Sequence, residues 1–222
     1  MVELKVENPT PEGLGELQAR FAIHLLNNDL VKFGDFKHNI HRDHPEAPPS
    51  PVYLEIRSIR SLFNTKKLSV DLMQETIKPL KFEMLADVPT AVTPLVSTLS
   101  DRLEIPHITP RPDKNQIDGF VRMLEGRTAI LFDDLVSGGG SILKVLELLE
   151  KFAIKVRDIF VFVDRQHGGK QILEEKGYKL HAAMTLSQML DLYLRKGRIK
   201  EDLYRETNEK LAKLTEFYQS LC

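Results

Sequence analysis

Two adjacent acids, Asp133 and Asp134, end an apolar run and stand just before a loop of small residues. The loop consists of Ser137, Gly138, Gly139, Gly140 and Ser141, and a helical pattern follows it. Glycines permit positive φ angles and close backbone approach, so the N–H groups of such a loop can converge on a phosphate at a helix N-terminus. The serine hydroxyls add donors, and the carboxylates suit ribose hydroxyls or a hydrated magnesium ion. The pattern predicts a sugar-phosphate site.

Other motifs with glycines or serines fit this loop less well. A Walker-type loop requires Gly-Lys-Ser or Gly-Lys-Thr, whereas Gly140 is followed by Ser141 and Ile142. The dinucleotide fingerprint G-x-G-x-x-G is not preceded by an acid pair. Neither Ser137 nor Ser141 stands in the G-x-S-x-G frame of a serine hydrolase. A glycine-rich turn between strand and helix, with solvated acids, is the alternative that stays open.

Alternating strand and helix patterns position this loop. Strands are predicted at residues 52–57, 82–86, 128–134, 158–164 and 179–184, with another after Pro106. Helices are predicted at residues 17–28, 68–80, 95–103, 142–152, 170–176 and 186–194, and the tail from 195 to 222 is predicted to dock as a terminal helix. Residues 33–51, rich in proline and histidine, are predicted to form a long loop. This alternation indicates the α/β class, with a parallel sheet flanked by helices and ligands beyond the carboxyl ends of its strands.

Composition narrows the class of protein. The chain has 222 residues, of which 42% are hydrophobic, and a formal net charge of -1. These values predict one globular domain and give no overall reason to expect nucleic acid or an anionic membrane as a partner. Cys222 is the only cysteine, which excludes an intrachain disulfide and a cysteine metal cluster and favours a reducing compartment. The sequence shows no long apolar segment, so we predict a cytoplasmic protein.

Several motifs in order resemble the type I phosphoribosyltransferases, and most closely the orotate phosphoribosyltransferases. Residues 133–141 are similar to the hallmark strand, acid pair and glycine loop of that family. The further similar segments are F-G-D-F at 33–36, S-P-V-Y-L-E-I-R at 50–57, the pyrophosphate loop at 87–95 and D-R-x-x-G-G at 164–169. The resemblance covers most of the chain and implies a parallel twisted sheet flanked by helices, with a small N-terminal hood, in a homodimer. It implies that residues 1–222 form one domain. Residues 1 to about 60 would contain a helix, a loop and the hood strand, residues from about 64 to 184 the α/β core, and residues 186–222 the C-terminal helices.

The resemblance also implies a reaction and a set of site residues. The reaction is transfer of a 5-phosphoribosyl group from phosphoribosyl pyrophosphate (PRPP) to orotate or a related pyrimidine base, with magnesium present and pyrophosphate released. The implied residues are Asp133 and Asp134 for the ribose hydroxyls and as candidate magnesium contacts, Ser137 to Ser141 for the 5-phosphate, Pro89, Thr90 and Ala91 for pyrophosphate, Arg165 for a carboxylate on the base, Tyr53 against the base, and Arg111 and Lys114 as catalytic cations. A guanidinium suits a carboxylate because both groups are planar and can form two parallel hydrogen bonds.

The chain departs from the family pattern where catalytic cations are expected. The family's K-S-G segment aligns with Asn39, which leaves Lys37 and Arg42 as substitutes. The segment at 111–119 is shorter than the family's mobile catalytic loop, and Pro112 replaces a lysine there. Cations around the leaving group contribute much of the rate, and the loss of one charge-stabilising donor costs about 3 kcal/mol. Two alternatives follow: a catalytically weakened homologue that binds a nucleotide or PRPP in a regulatory role, and an enzyme for another base.

Four histidines and one arginine have less defined roles. His38, His41 and His44 follow H-x-x-H-x-x-H spacing, which suits zinc only if the loop folds back on itself. Their proline-rich surroundings favour a solvated or partner-facing loop. His167, inside D-R-x-x-G-G, is read as a bystander near the base pocket. Arg57 suits either a structural salt bridge or a dimer contact.

Overall fold

A computed structural model describes residues 14–38, 40–119 and 124–221 of the chain. The strands are β1 (Val31–Phe36), β2 (Ser50–Leu54), β3 (Met84–Asp87), β4 (His107–Arg111), β5 (Gln116–Asp118), β6 (Thr128–Val136), β7 (Lys155–Asp164) and β8 (Lys179–Thr185). The α-helices are α1 (Glu16–Asn27), α2 (Ile40–Asp43), α3 (Phe63–Ile77), α4 (Thr93–Leu103), α5 (Gly140–Lys151), α6 (Gly169–Glu175), α7 (Leu186–Arg195) and α8 (Glu201–Ser220). Within the described ranges, no helix is long and apolar enough to span a bilayer.

The central sheet confirms the predicted α/β class. Its strand order is β5-β4-β3-β6-β7-β8, and the five strands β3, β4, β6, β7 and β8 are parallel to one another. The edge strand β5 runs antiparallel to β4, which the sequence patterns did not predict. In the middle of the sheet, side chains such as Phe132 and Phe160 are fully buried. Strands covered on both faces are continuously apolar, which explains why β6 and β7 are the plainest strand signals in the sequence.

Alternate residues of each central strand enter two different cores. Ile130 and Phe132 of β6 join the cluster that contains residues of α1, α3, α4 and α7. Ala129 and Leu131 join the cluster on the other face, with residues of α5 and α6. This division follows from the two-residue period of a strand, which sends successive side chains to opposite faces. Helices therefore cover both faces, and the polar carboxyl ends of the strands stay free for a site.

A separate two-stranded sheet corrects the prediction for residues 33–51. Instead of a continuous loop, β1 runs to Phe36 and pairs antiparallel with β2, and the short helix α2 follows. The strand signal is hidden because Gly34 and Asp35 interrupt the apolar alternation, and the pairing register shifts between Phe33 and Phe36. Its hydrogen-bonding partner, β2, follows the proline-rich segment in the sequence, so a local pattern cannot reveal the pairing.

The predicted strand at 52–57 is also too long. β2 ends at Leu54, and Arg57 lies in a 3₁₀ helix, Ile56–Ser61. Ile56 and Ile59 in this helix are 1% and 0% exposed. A spacing of three residues places both side chains on one side of a 3₁₀ turn, whereas in a strand they would point to opposite faces.

Candidate functional site

Asp133 and Asp134 lie near the carboxyl end of β6, in the middle of the central sheet. The backbone N–H of Asp134 donates to Asp133 Oδ1 at 2.8 Å, and the N–H of Leu135 donates to Asp134 Oδ1 at 2.9 Å. Asp133 is 3% exposed. Arg57 Nε lies 4.0 Å from Asp134 Oδ2, so Arg57 reaches the acid pair at the outer limit of an ion pair. Backbone donors thus orient two carboxylates that have little compensating positive charge.

Burial makes this acid pair reluctant to ionise. Burial raises the pKa of Asp133 well above its usual range, and the neighbouring charge of Asp134 raises it further. Burial also raises the pKa of Asp134. Desolvation and a like charge both disfavour the carboxylate form. Hydroxyl donors or a cation from a ligand would offset these costs, so the pair is arranged to receive such groups rather than to stabilise the fold.

The loop after β6 leads directly into α5, as the sequence predicted. Gly139 has a φ of 79°, in the left-handed region, and α5 begins at the next residue. Gly140 and Ser141 are exposed, and the Ser141 hydroxyl is 3.5 Å from Asp133 Oδ2. The first N–H groups of a helix have no partner within the helix and carry the positive end of its dipole. This arrangement can bind a phosphate beside the acid pair.

The neighbouring loop after β7 fixes the position of this loop. The N–H of Gly169 donates to the carbonyl of Ser137 at 2.7 Å, and the N–H of Arg165 donates to the carbonyl of Val136 at 2.9 Å. The two backbones approach so closely that a Cβ at Gly169 would lie 2.2 Å from the Ser137 carbonyl oxygen. Only glycine fits at this contact.

The predicted pyrophosphate loop, with Pro89, Thr90 and Ala91, joins β3 to α4. Asp87, which is 0% exposed, precedes it. Its Oδ1 accepts from His107 Nε2 at 2.8 Å and from the Thr109 hydroxyl at 2.7 Å, and its Oδ2 accepts from the Thr93 hydroxyl. Asp87, at the start of the loop, thus binds Thr93 at the end of the loop and two residues of β4. The sequence identified Asp87 only as the start of the loop, because its partners lie on other elements.

Residues 111–118 form a tight hairpin between β4 and β5. Pro112–Lys114 make one 3₁₀ turn, and Asn115 follows with a φ of 50°. Arg111 Nε donates to Asp118 Oδ2 at 2.8 Å, and Arg111 holds the pKa of Asp118 below its usual range. Lys114 stands at the exposed end of the hairpin. The guanidinium of Arg111 is therefore held by the hairpin itself.

A cleft of about 580 Å³ connects three of the predicted elements. Pro89 of the pyrophosphate loop, Ser141 of the glycine loop, and Pro112 and Asn115 of the hairpin line it. A volume of this size is typical of small-molecule sites. The cleft runs mainly along α5 and the hairpin, and one predicted site residue of each phosphate-handling segment, Pro89 and Ser141, reaches it.

Arg165 lies beneath the two-stranded sheet and is 4% exposed. Its Nη2 donates to the Ser50 hydroxyl at 2.5 Å and to the Val52 carbonyl at 3.0 Å, and its Nη1 is 3.2 Å from His38 Nε2. Its Nε is buried without a hydrogen-bond partner. Burial lowers the pKa of Arg165 to about 10, so the group remains a cation at neutral pH. In the part of the chain that the structure describes, no carboxylate forms a salt bridge with it.

Tyr53 lies on β2 and is half-buried. Its ring stacks on the His38 imidazole, with centroids 5.9 Å apart and an interplanar angle of 12°. Burial and Glu55 raise the pKa of Tyr53, and the charge of Asp134 adds to this shift. The charge of Asp134 also raises the pKa of Arg165, so both predicted base-binding side chains lie within electrostatic range of the acid pair.

The histidines at 38, 41 and 44 do not share a metal geometry. The N–H of His38 donates to His41 Nδ1 at 2.9 Å, whereas His44 Nδ1 lies 3.4 Å from Glu46 Oε1. Burial and the charge of Arg165 lower the pKa of His38 to about 4, so its ring is neutral. Throughout residues 14–38, 40–119 and 124–221, no cluster of three or more His, Cys, Asp or Glu side chains is placed to hold a metal ion. Asn39, at the position of the family lysine, lies outside the described residues.

The last helix contributes contacts that the sequence did not reveal. His167 is 2% exposed, its Nδ1 is 2.9 Å from the Thr215 hydroxyl, and its ring stacks on Tyr218. The apolar spacing of the tail predicted that α8 would dock, and this prediction is confirmed. The charged residues of the helix otherwise indicated only a solvated face. Its contacts with the loop after β7 link positions 48 residues apart, and no local pattern signals such a pair.

Comparison with known proteins agrees with this geometry. No family model matches the chain. An orotate phosphoribosyltransferase of Sulfolobus acidocaldarius is 30% identical over 191 residues, which cover 84% of this chain and 91% of that protein. The uridine 5'-monophosphate synthase of Bos taurus is 31% identical over 185 residues, which cover 80% of this chain and 37% of that protein.

A solved structure, the UMP synthase of Leishmania donovani, superposes with a TM-score of 0.80 at 27% sequence identity and covers 90% of this chain. The chain spans 43% of that synthase and 37% of the bovine one, so it corresponds to a part of each. The match to the Sulfolobus relative, by contrast, extends over almost the whole of that protein. On that match, the chain belongs to the family of orotate phosphoribosyltransferases.

Proposed function

We propose that the chain transfers a 5-phosphoribosyl group from PRPP to orotate or a related pyrimidine base and releases pyrophosphate. The observation that carries this proposal is the placement of Asp133 and Asp134 beside the glycine loop at the start of α5. The names of the relatives, orotate phosphoribosyltransferase and UMP synthase, support the choice of orotate.

In this proposal the N–H groups of the loop from Ser137 to Ser141 bind the 5-phosphate. The ribose hydroxyls donate to Asp133 and Asp134, which stabilises the carboxylate forms that burial disfavours. Pyrophosphate leaves along the cleft between Pro89 and Ser141. Because the loops that bind the two ends of PRPP are fixed by backbone contacts and by Asp87, catalysis rests mainly on positioning.

Magnesium fits the donor set of this site. Two adjacent carboxylates provide the oxygen ligands that magnesium prefers, and a cation beside them would offset their mutual repulsion. When bound with the substrate, the ion would supply positive charge to the leaving pyrophosphate. Asp133 and Asp134 are the residues of this chain that would face it.

Arg165 provides the argument for a base with a carboxylate. It is a buried cation with an unpartnered Nε–H and no carboxylate beside it in the described residues. A buried charge without a counter-charge is unfavourable, and a planar carboxylate on the base would neutralise it. Tyr53 stacks on His38, which in turn contacts Arg165, and Tyr53 provides an aromatic face for the ring of the base.

The second candidate is a homologue that binds a nucleotide or PRPP with little turnover. The pairing of Arg111 with Asp118 favours it, because this guanidinium already has a carboxylate partner on its own hairpin. Lys114 is then the remaining cation at the hairpin. The homodimer implied by the family resemblance and the cytoplasmic location inferred from the sequence stay predictions.

The Asp133→Asn and Asp134→Asn variants test the proposed site. We expect each to weaken PRPP binding, measured by calorimetry with magnesium present, by about 10-fold or more, because each loses a charge-assisted hydrogen bond worth about 1.5–3 kcal/mol. Asp71→Asn, on α3 and paired with Lys67 and Arg102, is a matched control that should leave the affinity unchanged. Unchanged PRPP affinity in both site variants would contradict the ribose assignment.

The same Asp133→Asn variant has an expected effect on stability. The pKa of Asp133 is higher in the folded than in the unfolded protein, so its ionisation lowers stability as pH rises from the usual carboxyl value through the folded-state pKa. We expect the amide to raise the free energy of unfolding near neutral pH by on the order of 1–2 kcal/mol, with no gain at pH 3. Urea unfolding at both pH values measures this difference.

A further inference from the structure

We propose that Tyr218, on the C-terminal helix α8, is a positioning residue for the phosphate loop. This inference rests on the proposed function, because it assigns Ser137 and Gly138 to phosphate binding. It makes α8 part of the ligand site, although α8 lies far from the acid pair and the glycine loop in sequence.

Tyr218 contacts two consecutive residues of the loop. Its ring lies against Gly138, where a Cβ would be 3.3 Å from Cε1 and 3.6 Å from Cδ1 of the ring. Its hydroxyl forms a hydrogen bond with the Ser137 side chain. A single side chain therefore limits both the backbone path at Gly138 and the rotamer of Ser137.

The ring of Tyr218 also packs on the loop after β7. The Tyr218 and His167 rings are nearly parallel, at an interplanar angle of 4° with centroids 5.0 Å apart. The Thr215 hydroxyl, one helical turn earlier, holds His167 Nδ1 at 2.9 Å. Burial and the charge of Arg165 lower the pKa of His167 to about 3, so the stack is between neutral rings near pH 7. Tyr218 thus contacts both the phosphate loop and the loop after β7, which also contains Arg165.

The hydrogen bond to Ser137 determines which way that hydroxyl can donate. A serine hydroxyl has one proton and two acceptor lone pairs. Burial raises the pKa of Tyr218, so the phenol keeps its proton at neutral pH and can donate it to Ser137 Oγ. In that arrangement the proton of Ser137 is left to donate to a phosphate oxygen. A donor that is oriented before the ligand arrives loses less freedom on binding.

The helix does not depend on Tyr218 for its attachment. Leu214 is 2% exposed, and Lys210 Nζ lies 2.9 Å from Asp35 Oδ1 on β1. Removal of the phenol oxygen alone is therefore expected to leave α8 docked and the stack on His167 in place. This separates an effect on the loop from an effect on the fold.

The test is the binding of orotidine 5'-monophosphate and of orotidine to the Tyr218→Phe variant of the full chain, measured by calorimetry. We expect the affinity for the nucleotide to fall by about 5- to 10-fold, which corresponds to one neutral hydrogen bond, and the affinity for the nucleoside to stay within about 2-fold. The ratio of the two affinities reports on the phosphate loop and is insensitive to a general loss of stability. Lys213→Met, at an exposed position of the same helix, is the matched control and should leave the ratio unchanged.

Three other results of this binding experiment would each contradict either the role of Tyr218 or the proposed function. Unchanged or tighter nucleotide binding by Tyr218→Phe, with normal binding by the unmodified protein, would overturn the positioning role alone. Equal losses for nucleotide and nucleoside would assign Tyr218 to packing only and overturn it as well. Failure of the unmodified, folded protein to bind the nucleotide would overturn the proposed function on which the inference rests.

Discussion

Replacement of Arg165 by methionine is expected to abolish the preference for a base that carries a carboxylate. The structure buries the Arg165 cation without a carboxylate partner in the described residues, so the ligand carboxylate would be its counter-charge. Loss of one partner of a buried, hydrogen-bonded charge pair costs about 2–5 kcal/mol, which corresponds to about 300-fold in affinity near the middle of this range. Methionine keeps an unbranched side chain of similar length.

The measurement compares orotidine 5'-monophosphate with uridine 5'-monophosphate, which differ only in the base carboxylate. We expect the unmodified protein to prefer the former and Arg165→Met to bind both about equally. Arg165→Lys is the matched control: it keeps the charge but cannot reach Ser50, Val52 and His38 with a fork of donors. It should keep part of the preference. An Arg165→Met protein with an undiminished preference would show that another residue reads the carboxylate.

Replacement of Gly169 by alanine is expected to displace the phosphate loop and destabilise the fold. The new Cβ would lie 2.2 Å from the Ser137 carbonyl oxygen and 2.7 Å from Val136 Cγ2, so the backbone must move and the hydrogen bond from Gly169 N–H to Ser137 is lost. Overpacking of about 1–3 kcal/mol and a buried carbonyl left without its donor together predict a loss of about 3 kcal/mol in the free energy of unfolding. PRPP affinity should fall by at least about 10-fold.

Gly140→Ala provides the control within the same loop. A Cβ at Gly140 meets no atom within 4 Å, and its φ is not positive. Because alanine restricts the unfolded chain, we expect this variant to be as stable as the unmodified protein or about 0.4–1 kcal/mol more stable. Urea unfolding of both variants measures the difference. A Gly169→Ala protein that unfolds like Gly140→Ala would contradict the close contact between the loops after β6 and β7.

The path of the chain from β6 to α5 was predictable because its signals are local. The apolar run before Asp133 matches a strand buried on both faces, and the three glycines precede a helix whose apolar positions are evenly spaced. The predicted strand and helix ends differ from the observed ones by at most two residues. The position of Asp133, Asp134 and the glycine loop between β6 and α5 was therefore predictable from the sequence, whereas their roles in ligand binding stay a proposal.

Other parts of the site depend on partners that are distant in sequence. Asp87 binds His107 and Thr109 on another strand, and Tyr218 meets a loop about 80 positions earlier. The strand β1 exists because β2 pairs with it, and its own pattern is broken at Gly34. Similarly, Arg111 and Asp118 are close only because β5 folds back on β4. Tertiary contacts of this kind leave no periodic signal, which is why these features emerge only from the structure.

The central claim is tested most directly by the change in orotate absorbance when the purified chain is mixed with magnesium, PRPP and orotate. Pyrophosphatase in the reaction removes the released pyrophosphate and draws transfer forward. We predict a loss of orotate absorbance that requires the protein, PRPP and magnesium and that is suppressed in the Asp134→Asn variant. If the folded protein binds PRPP but leaves the absorbance constant, transfer to orotate is contradicted and the role of a binding homologue, favoured by the Arg111–Asp118 pair, takes its place.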